Sequence, residues 1–366
     1  MKARVLSVDV FRGMTIAAMI LVNNPGTWAY IYPPLAHAEW HGLTPTDLIF
    51  PFFLFIVGIT IVLAYGNTRL TGSQLYKKIA VRSLKLIFLG LFLGFFLAHY
   101  PFIKPLGEWR LPGVLQRIGV VFFIVSMLYF NFSARALVVW FVAILVGYWL
   151  VMTQIPIDGV IPPLTMEESL ASQIDSYIFT SSHMWKEVYD PEGLLSTIPA
   201  IATSISGILA GFVLKNPSIE PVKKIAYFTI AGLVLLMIGY TWDMIFPINK
   251  ALWTSSFVLV TTGYGLLMFS LVYYIIDVKG FKTWSFPFMT FGMNAIAVYF
   301  LNGFIAKCFY QIKLPNGNSI HQNLYGILSD IIEIPKLSSL VYALLVVSFY
   351  YLIALFLYKK KIFFKV

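Results

Sequence analysis

His37, Glu39 and His41 stand just ahead of a long apolar run, in Leu35-Ala-His-Ala-Glu-Trp-His-Gly-Leu-Thr-Pro-Thr-Asp-Leu-Ile-Phe-Pro51. No other part of the chain packs ionisable side chains so densely against a membrane-length apolar stretch. Imidazole titrates at ~6.5 when unperturbed, so it can take or give a proton near neutral pH, as a group acting on an amine or a thioester must. We take His37 as the chemical centre; a histidine bonded only to its loop backbone is the plainer alternative. Thr44-Pro45-Thr46-Asp47 reads as a helix start, with a hydroxyl cap, proline in the first turn and a carboxylate three residues on. His37, Glu39, Trp40 and His41 then occupy the loop before that helix. His37 and His41 are four apart, which on a helix is a zinc spacing. Gly42 and the loop setting deny them the helix and no third ligand stands near, so no metal is expected. Neither a G-x-S-x-G elbow nor a phosphate-binding glycine loop occurs.

Further polar residues interrupt the apolar runs, where charges normally mark a pathway or a pair. Asp9 and Arg12 are three apart and share a face of the first helix. At ~1.5 Å per residue Arg12 lies about 9 Å above a helix start near Leu6. The two pair with each other, or Arg12 meets an anionic ligand entering from the cytoplasm. Gln116 and Arg117 fall near the outer start of the fourth helix, in Arg110-Leu-Pro-Gly-Val-Leu-Gln-Arg117, and Arg110 faces the same way as Arg117. A structural Arg117 would pair with Asp47 or Asp9. Asn23 and Asn24 end the first helix before Pro25-Gly26. Capping alone explains them, yet an amide here faces the same outer chamber as His37 and can hold a carbonyl oxygen as charge develops on it.

The elements that must position these residues follow from composition. The chain is 59% hydrophobic and 11% charged, with mean hydropathy +0.81, which makes it an integral membrane protein. Its one cysteine, Cys308, excludes an internal disulfide framework. Spans need ~20 mostly apolar residues. Ten stretches qualify, near 6–23, 46–66, 82–100, 113–132, 136–154, 194–214, 224–246, 252–276, 284–306 and 337–358, so the fold expected is an all-α polytopic bundle forming a single domain over 1–366. With alternate segments assigned to opposite sides, 17 basic residues, among them Lys2, Arg4, Arg69 and Lys365, fall on the side of the termini and 7 on the other. The positive-inside rule then places both termini in the cytoplasm and His37 outside, and explains the net charge of +10 without nucleic acid. The outer loops, about 24–45, 155–193 and 307–335, are the long ones; an ordered lid over 155–193 with a short helix near Met166 to Ile178 is expected.

Seven blocks, in order along nearly the whole chain, resemble one family: Ser7-Val-Asp-Val-Phe-Arg-Gly13, Leu21-Val-Asn-Asn-Pro-Gly26, the His37–Pro51 block, Arg110–Arg117, Asp190-Pro-Glu-Gly-Leu-Leu-Ser-Thr197, Asn249-Lys-Ala-Leu-Trp-Thr-Ser-Ser256 and Phe291-Gly-Met-Asn-Ala295. The chain is similar in these to the heparan-alpha-glucosaminide N-acetyltransferase family. The resemblance implies transfer of an acetyl group from cytoplasmic acetyl-CoA to an amino-sugar amine across the membrane, here the inner membrane of a bacterium. His37 matches the family's active-site histidine and Asn23 its asparagine partner. For acetyl-CoA, charge at the cytoplasmic face would come from Lys77, Lys78, Arg82 and Lys85, with Arg12 and Arg117 as further cosubstrate contacts. Asp9, Asp47, Glu39, Trp40, Gln116 and Asn294 are expected as supporting or acceptor-side residues. Trp28, Trp40 and Trp185 can stack on a sugar, and a homodimer is left open. The alternative is an amino-sugar transporter in which Asp9, Arg12, Asp47 and Arg117 line a path gated by His37. Helices broken around Pro25-Gly26 and Pro51 fit that alternative.

Overall fold

The computed structural model describes residues 5–66, 68, 70 and 72–364, and over these the protein is an all-α bundle. Lys2, Arg4, Arg69 and Lys365, which enter the charge asymmetry, lie outside the described residues. The helices are α1 (Leu6–Asn23), α2 (Ile49–Tyr65), α3 (Gly72–Phe95), α4 (Val114–Asn131), α5 (Ala134–Gln154), α6 (Leu170–Phe179), α7 (Leu194–Lys215), α8 (Pro221–Asp243), α9 (Ser255–Tyr273), α10 (Phe286–Met293), α11 (Ala295–Gln311), α12 (Ile320–Ile331) and α13 (Pro335–Lys359).

Among the described residues, eight helices are long and apolar enough to cross a membrane, and a ninth span forms if α10 and α11, bent by 71° at Asn294, count as one. The tenth expected stretch is α3. Every 18-residue window of α3 contains Lys78, Arg82 and Lys85, which sets it apart from the other spans by charge. The helix break lies at Asn294 and not at Pro51, which sits in the first turn of α2 and leaves that helix continuous.

Burial sorts the spans into two rings. About two thirds of α2, α7 and α9 is buried, against 17% of α8 and 28% of α5 and α13, so α8, α5 and α13 turn most of their surface outward. An evenly apolar helix such as α2 suits the centre because it has no polar side to keep wet. Small residues set the closest approaches, since packing rather than water exclusion drives helices together in lipid. A Cβ on Gly13 of α1 would come within 1.6 Å of the Phe288 carbonyl oxygen of α10, so those backbones meet where only glycine fits.

Chain alternation gathers the same end of successive helices. Asn24, Asp47, Arg110, Asp190 and Lys250 all belong to one end. At the other, Asp277 accepts from the Leu6 and Ser7 backbone N–H groups at 3.1 and 2.9 Å.

Candidate functional site

Asp47 organises the loop that carries His37. A 3₁₀ turn over Pro45–Leu48 leads into α2, and Asp47 closes a capping box with Thr44, as the sequence pattern predicts. Its carboxylate accepts from the Ala38 N–H (3.1 Å), the Thr44 N–H (3.0 Å) and the Thr44 hydroxyl (3.0 Å), all at Oδ2. The other oxygen, Oδ1, lies 2.7 Å from His37 Nδ1. The Asp47 side chain is 1% exposed and that of His37 45%, so a buried anion holds an accessible imidazole. A carboxylate that accepts from Nδ1–H fixes the tautomer in which Nε2 is the free base.

Lys250 completes the cluster. Its Nζ is 3.0 Å from His37 Nδ1, 3.3 Å from Nε2 and 3.6 Å from Asp47 Oδ1. Burial pushes the Lys250 ammonium below its ordinary range and Arg117 adds to this, while Asp47 and Glu192 pull it up. The segment carrying it is rigid. Asn249 Oδ1 accepts from Leu252 N–H (2.8 Å), the Thr254 hydroxyl donates to the Pro247 carbonyl (2.9 Å), and the Ile248 carbonyl accepts from Gly42 N–H (2.8 Å). Gly42 adopts φ +112°, a left-handed region that favours glycine.

A second charged group lies beside the first. Arg110 makes a bidentate pair with Asp190 (2.8 and 2.7 Å), reaches Glu192 at 2.6 Å and lies over the Trp185 ring. Arg117, 2% exposed, meets Thr197 Oγ1 at 3.2 Å and the Gly193 carbonyl at 3.2 Å and lies over Trp253. The pairing of Arg117 with Asp47 or Asp9 is therefore corrected. The arginine instead holds the start of α7, because the chain after Asp190 brings carbonyls and hydroxyls to it. Trp40 ties the two loops together, donating to the Leu164 carbonyl (2.8 Å) and standing edge-on to Tyr189.

Other expected residues are dispersed. Asn23 is exposed at the end of α1, and among the described residues no hydrogen bond joins it to His37. Its neighbour Asn24 is buried and donates to the Ile20 carbonyl (2.7 Å) and Asn302 Oδ1 (3.0 Å). Glu39 is exposed. Gln116 packs over Gly90 of α3 and Gly113. Asn294 donates to the Ile362 carbonyl (3.0 Å) and accepts from Phe364 N–H (3.1 Å), holding the chain's last described turn against the α10–α11 break.

Toward the opposite end lies a cavity of about 740 Å³, lined by Arg12, Lys77, Lys78, Arg82 and Lys85 and, further in, by apolar side chains that include Phe53, Val57, Ile118 and Phe122. Along α2 its wall runs from Tyr65 to Phe53, about 18 Å at the helical rise. Phe53 is six residues beyond Asp47, so the inner wall reaches to about 9 Å from the His37 cluster along the axis. Asp9 pairs with Arg12 at 3.1 Å as expected, and Arg12 also meets Thr60 Oγ1 (2.9 Å) and the Gly292 carbonyl (3.2 Å). Arg82 lies over the Phe122 ring, and its Nε is buried without a hydrogen-bond partner among the described residues. Cations around an apolar slot suit a polyanion with a long uncharged arm. Arg117 does not line this cavity.

Lys250, Asp190 and Glu192 are the residues whose place at the site sequence reasoning missed, and Arg110 was singled out there without its partners. The only available signal was an Asn-Lys pair and an Asp-Pro-Glu triplet opening two of the motif blocks.

These features define a polytopic helical membrane protein with a histidine, carboxylate and lysine cluster at one end and a cation-lined cavity rising toward it from the other. Residues 4–178 match the family described as "Heparan-alpha-glucosaminide N-acetyltransferase, catalytic". The human and mouse proteins named heparan-alpha-glucosaminide N-acetyltransferase are each 28% identical to this chain over 99% of its length. The chain is thus similar to this family over residues 4–178, and to the two acetyltransferases over nearly its whole length. It spans about 60% of the length of those two relatives.

Proposed function

We propose that this protein is a transmembrane N-acetyltransferase that takes an acetyl group from acetyl-CoA on the cytoplasmic side of the inner membrane and delivers it to the amine of an amino sugar on the outer side. The observation that carries this reading is the 740 Å³ cavity, with cations at Lys77, Lys78, Arg82 and Lys85 and an apolar slot leading toward His37. The cations receive the phosphates, and the unpartnered Arg82 Nε has an anion to meet. The pantetheine arm lies along α2 and brings the thioester to the His37 end. There Nε2 of His37, held in its basic tautomer by Asp47, accepts the proton that the attacking amine sheds. The excess of basic residues on the side of the termini supports a cytoplasmic cavity mouth. The names of the human and mouse relatives, which state N-acetyl transfer to a glucosaminide, support the reaction type and an amino-sugar acceptor.

The test uses the purified protein in liposomes, with labelled acetyl-CoA outside and glucosamine inside, scored for protein inserted with its cavity outward. Labelled N-acetylglucosamine inside is expected, and His37→Ala should abolish it. Sugar crossing without acetyl-CoA, and no acetylated product, would instead establish transport.

A further inference from the structure

We propose that the Lys250 ammonium is the group that holds the thioester oxygen as it becomes an oxyanion, the role expected for Asn23; this assignment rests on the transferase reading above. The attacking amine, whose proton His37 takes, must sit within ~3 Å of Nε2, and the thioester carbon within ~3–3.5 Å of that amine. The carbonyl oxygen then falls within the swing of a lysine whose Nζ already lies 3.0 and 3.3 Å from the two ring nitrogens. Among the described residues Asn23 has no hydrogen bond to this cluster, Arg110 is held by Asp190 and Glu192, and Arg117 keeps one buried unpartnered nitrogen but bonds to the start of α7 and has no bond to His37.

The segment bearing Lys250 is braced by Asn249 and Thr254, which is the preorganisation an oxyanion donor needs. Burial makes its proton easier to share, and Asp47 and Glu192 keep it charged. In the resting site the ammonium lies against the imidazole, at similar distances from both ring nitrogens.

In the step itself the neutral amine nitrogen bonds to the carbonyl carbon, and the carbonyl π pair moves to the oxygen beside Lys250. His37 Nε2 takes the amine proton. Collapse reforms C=O, breaks the C–S bond and expels the CoA thiolate, which receives that proton to leave as the thiol.

Lys250→Met and Lys250→Arg are compared with wild type in steady-state transfer, together with the binding of CoA and thermal unfolding. Losing one oxyanion donor costs on the order of 10²–10³-fold in kcat. Lys250→Met should show a loss of that size, with KM for acetyl-CoA and CoA affinity within about twofold. Lys250→Arg, which keeps the cation, should recover at least about tenfold of it. A Lys250→Met protein with wild-type kcat, or a loss that arginine does not relieve, overturns the assignment alone. A wild-type protein that makes no product overturns the transferase reading and this assignment with it.

Discussion

At the scale of single residues, Asp47 decides what His37 can do. Three donors converge on its Oδ2, while the histidine at 2.7 Å and the Lys250 ammonium at 3.6 Å meet Oδ1. Asp47→Asn must turn its amide oxygen toward the three donors, which leaves the NH₂ facing His37. The imidazole then accepts at Nδ1, carries its proton on Nε2, and has no base to offer. We expect kcat to fall by about 10²-fold or more, measured as acetyl transfer, with thermal stability nearly retained because the loop keeps its bracing. His37 and Asp47 were both legible, because a helix-cap pattern fixes where the carboxylate points. Lys250 was not, because 213 positions separate it from His37 and nothing local marks the pairing.

Among the elements, α6 and α7 show how a buried carboxylate can be both brace and burden. Asp175 of α6 is 2% exposed and accepts the Leu194 N–H that opens α7 at 2.8 Å. Burial raises its pKa to about 6 and Asp190 adds to this, against the Leu194 N–H and Arg117. Between its ordinary value of 3.8 and about 6 the folded protein holds a proton that the unfolded chain has lost, so this group's contribution to stability falls as pH rises through that window. The loss is on the order of 2–3 kcal/mol. Asp175→Asn keeps an acceptor for Leu194 and removes the titration. Its melting temperature in detergent should gain on wild type from pH 4.5 to 7.5, and a constant difference would refute the account. The short helix expected near Met166 to Ile178 forms as Leu170–Phe179, capped by Ser169 where the sequence changes from acidic to apolar residues.

For the molecule as a whole, the proposed reaction needs both of its chemically different ends, the cation-lined cavity and the His37 cluster. If Lys78 and Arg82 of the cavity wall receive the phosphates as proposed, replacing both by Gln should raise KM for acetyl-CoA about tenfold or more while kcat stays within about twofold, since they lie far from the His37 cluster. Sidedness has its own test. After Cys308→Ser, a cysteine at exposed Glu39 should react with an impermeant maleimide from outside the intact cell, and one at exposed Gln74 only after permeabilisation. The reverse pattern would invert the proposed topology.

The amino-acid sequence by itself determined that the chain is a helical membrane bundle, because a backbone in lipid must satisfy its own hydrogen bonds and long apolar runs leave it one way to do so. It also determined the His37 loop, the capping box at Thr44 and Asp47, and the Asp9 and Arg12 pair, all set by spacing along a few turns. Tertiary structure alone decided that Lys250 meets His37, that Arg117 holds α7 rather than Asp47, that Asn24 rather than Asn23 is buried, and that the inner cations surround a single cavity. Those are contacts between distant segments, fixed by which helices can approach closely, and no local pattern encodes them.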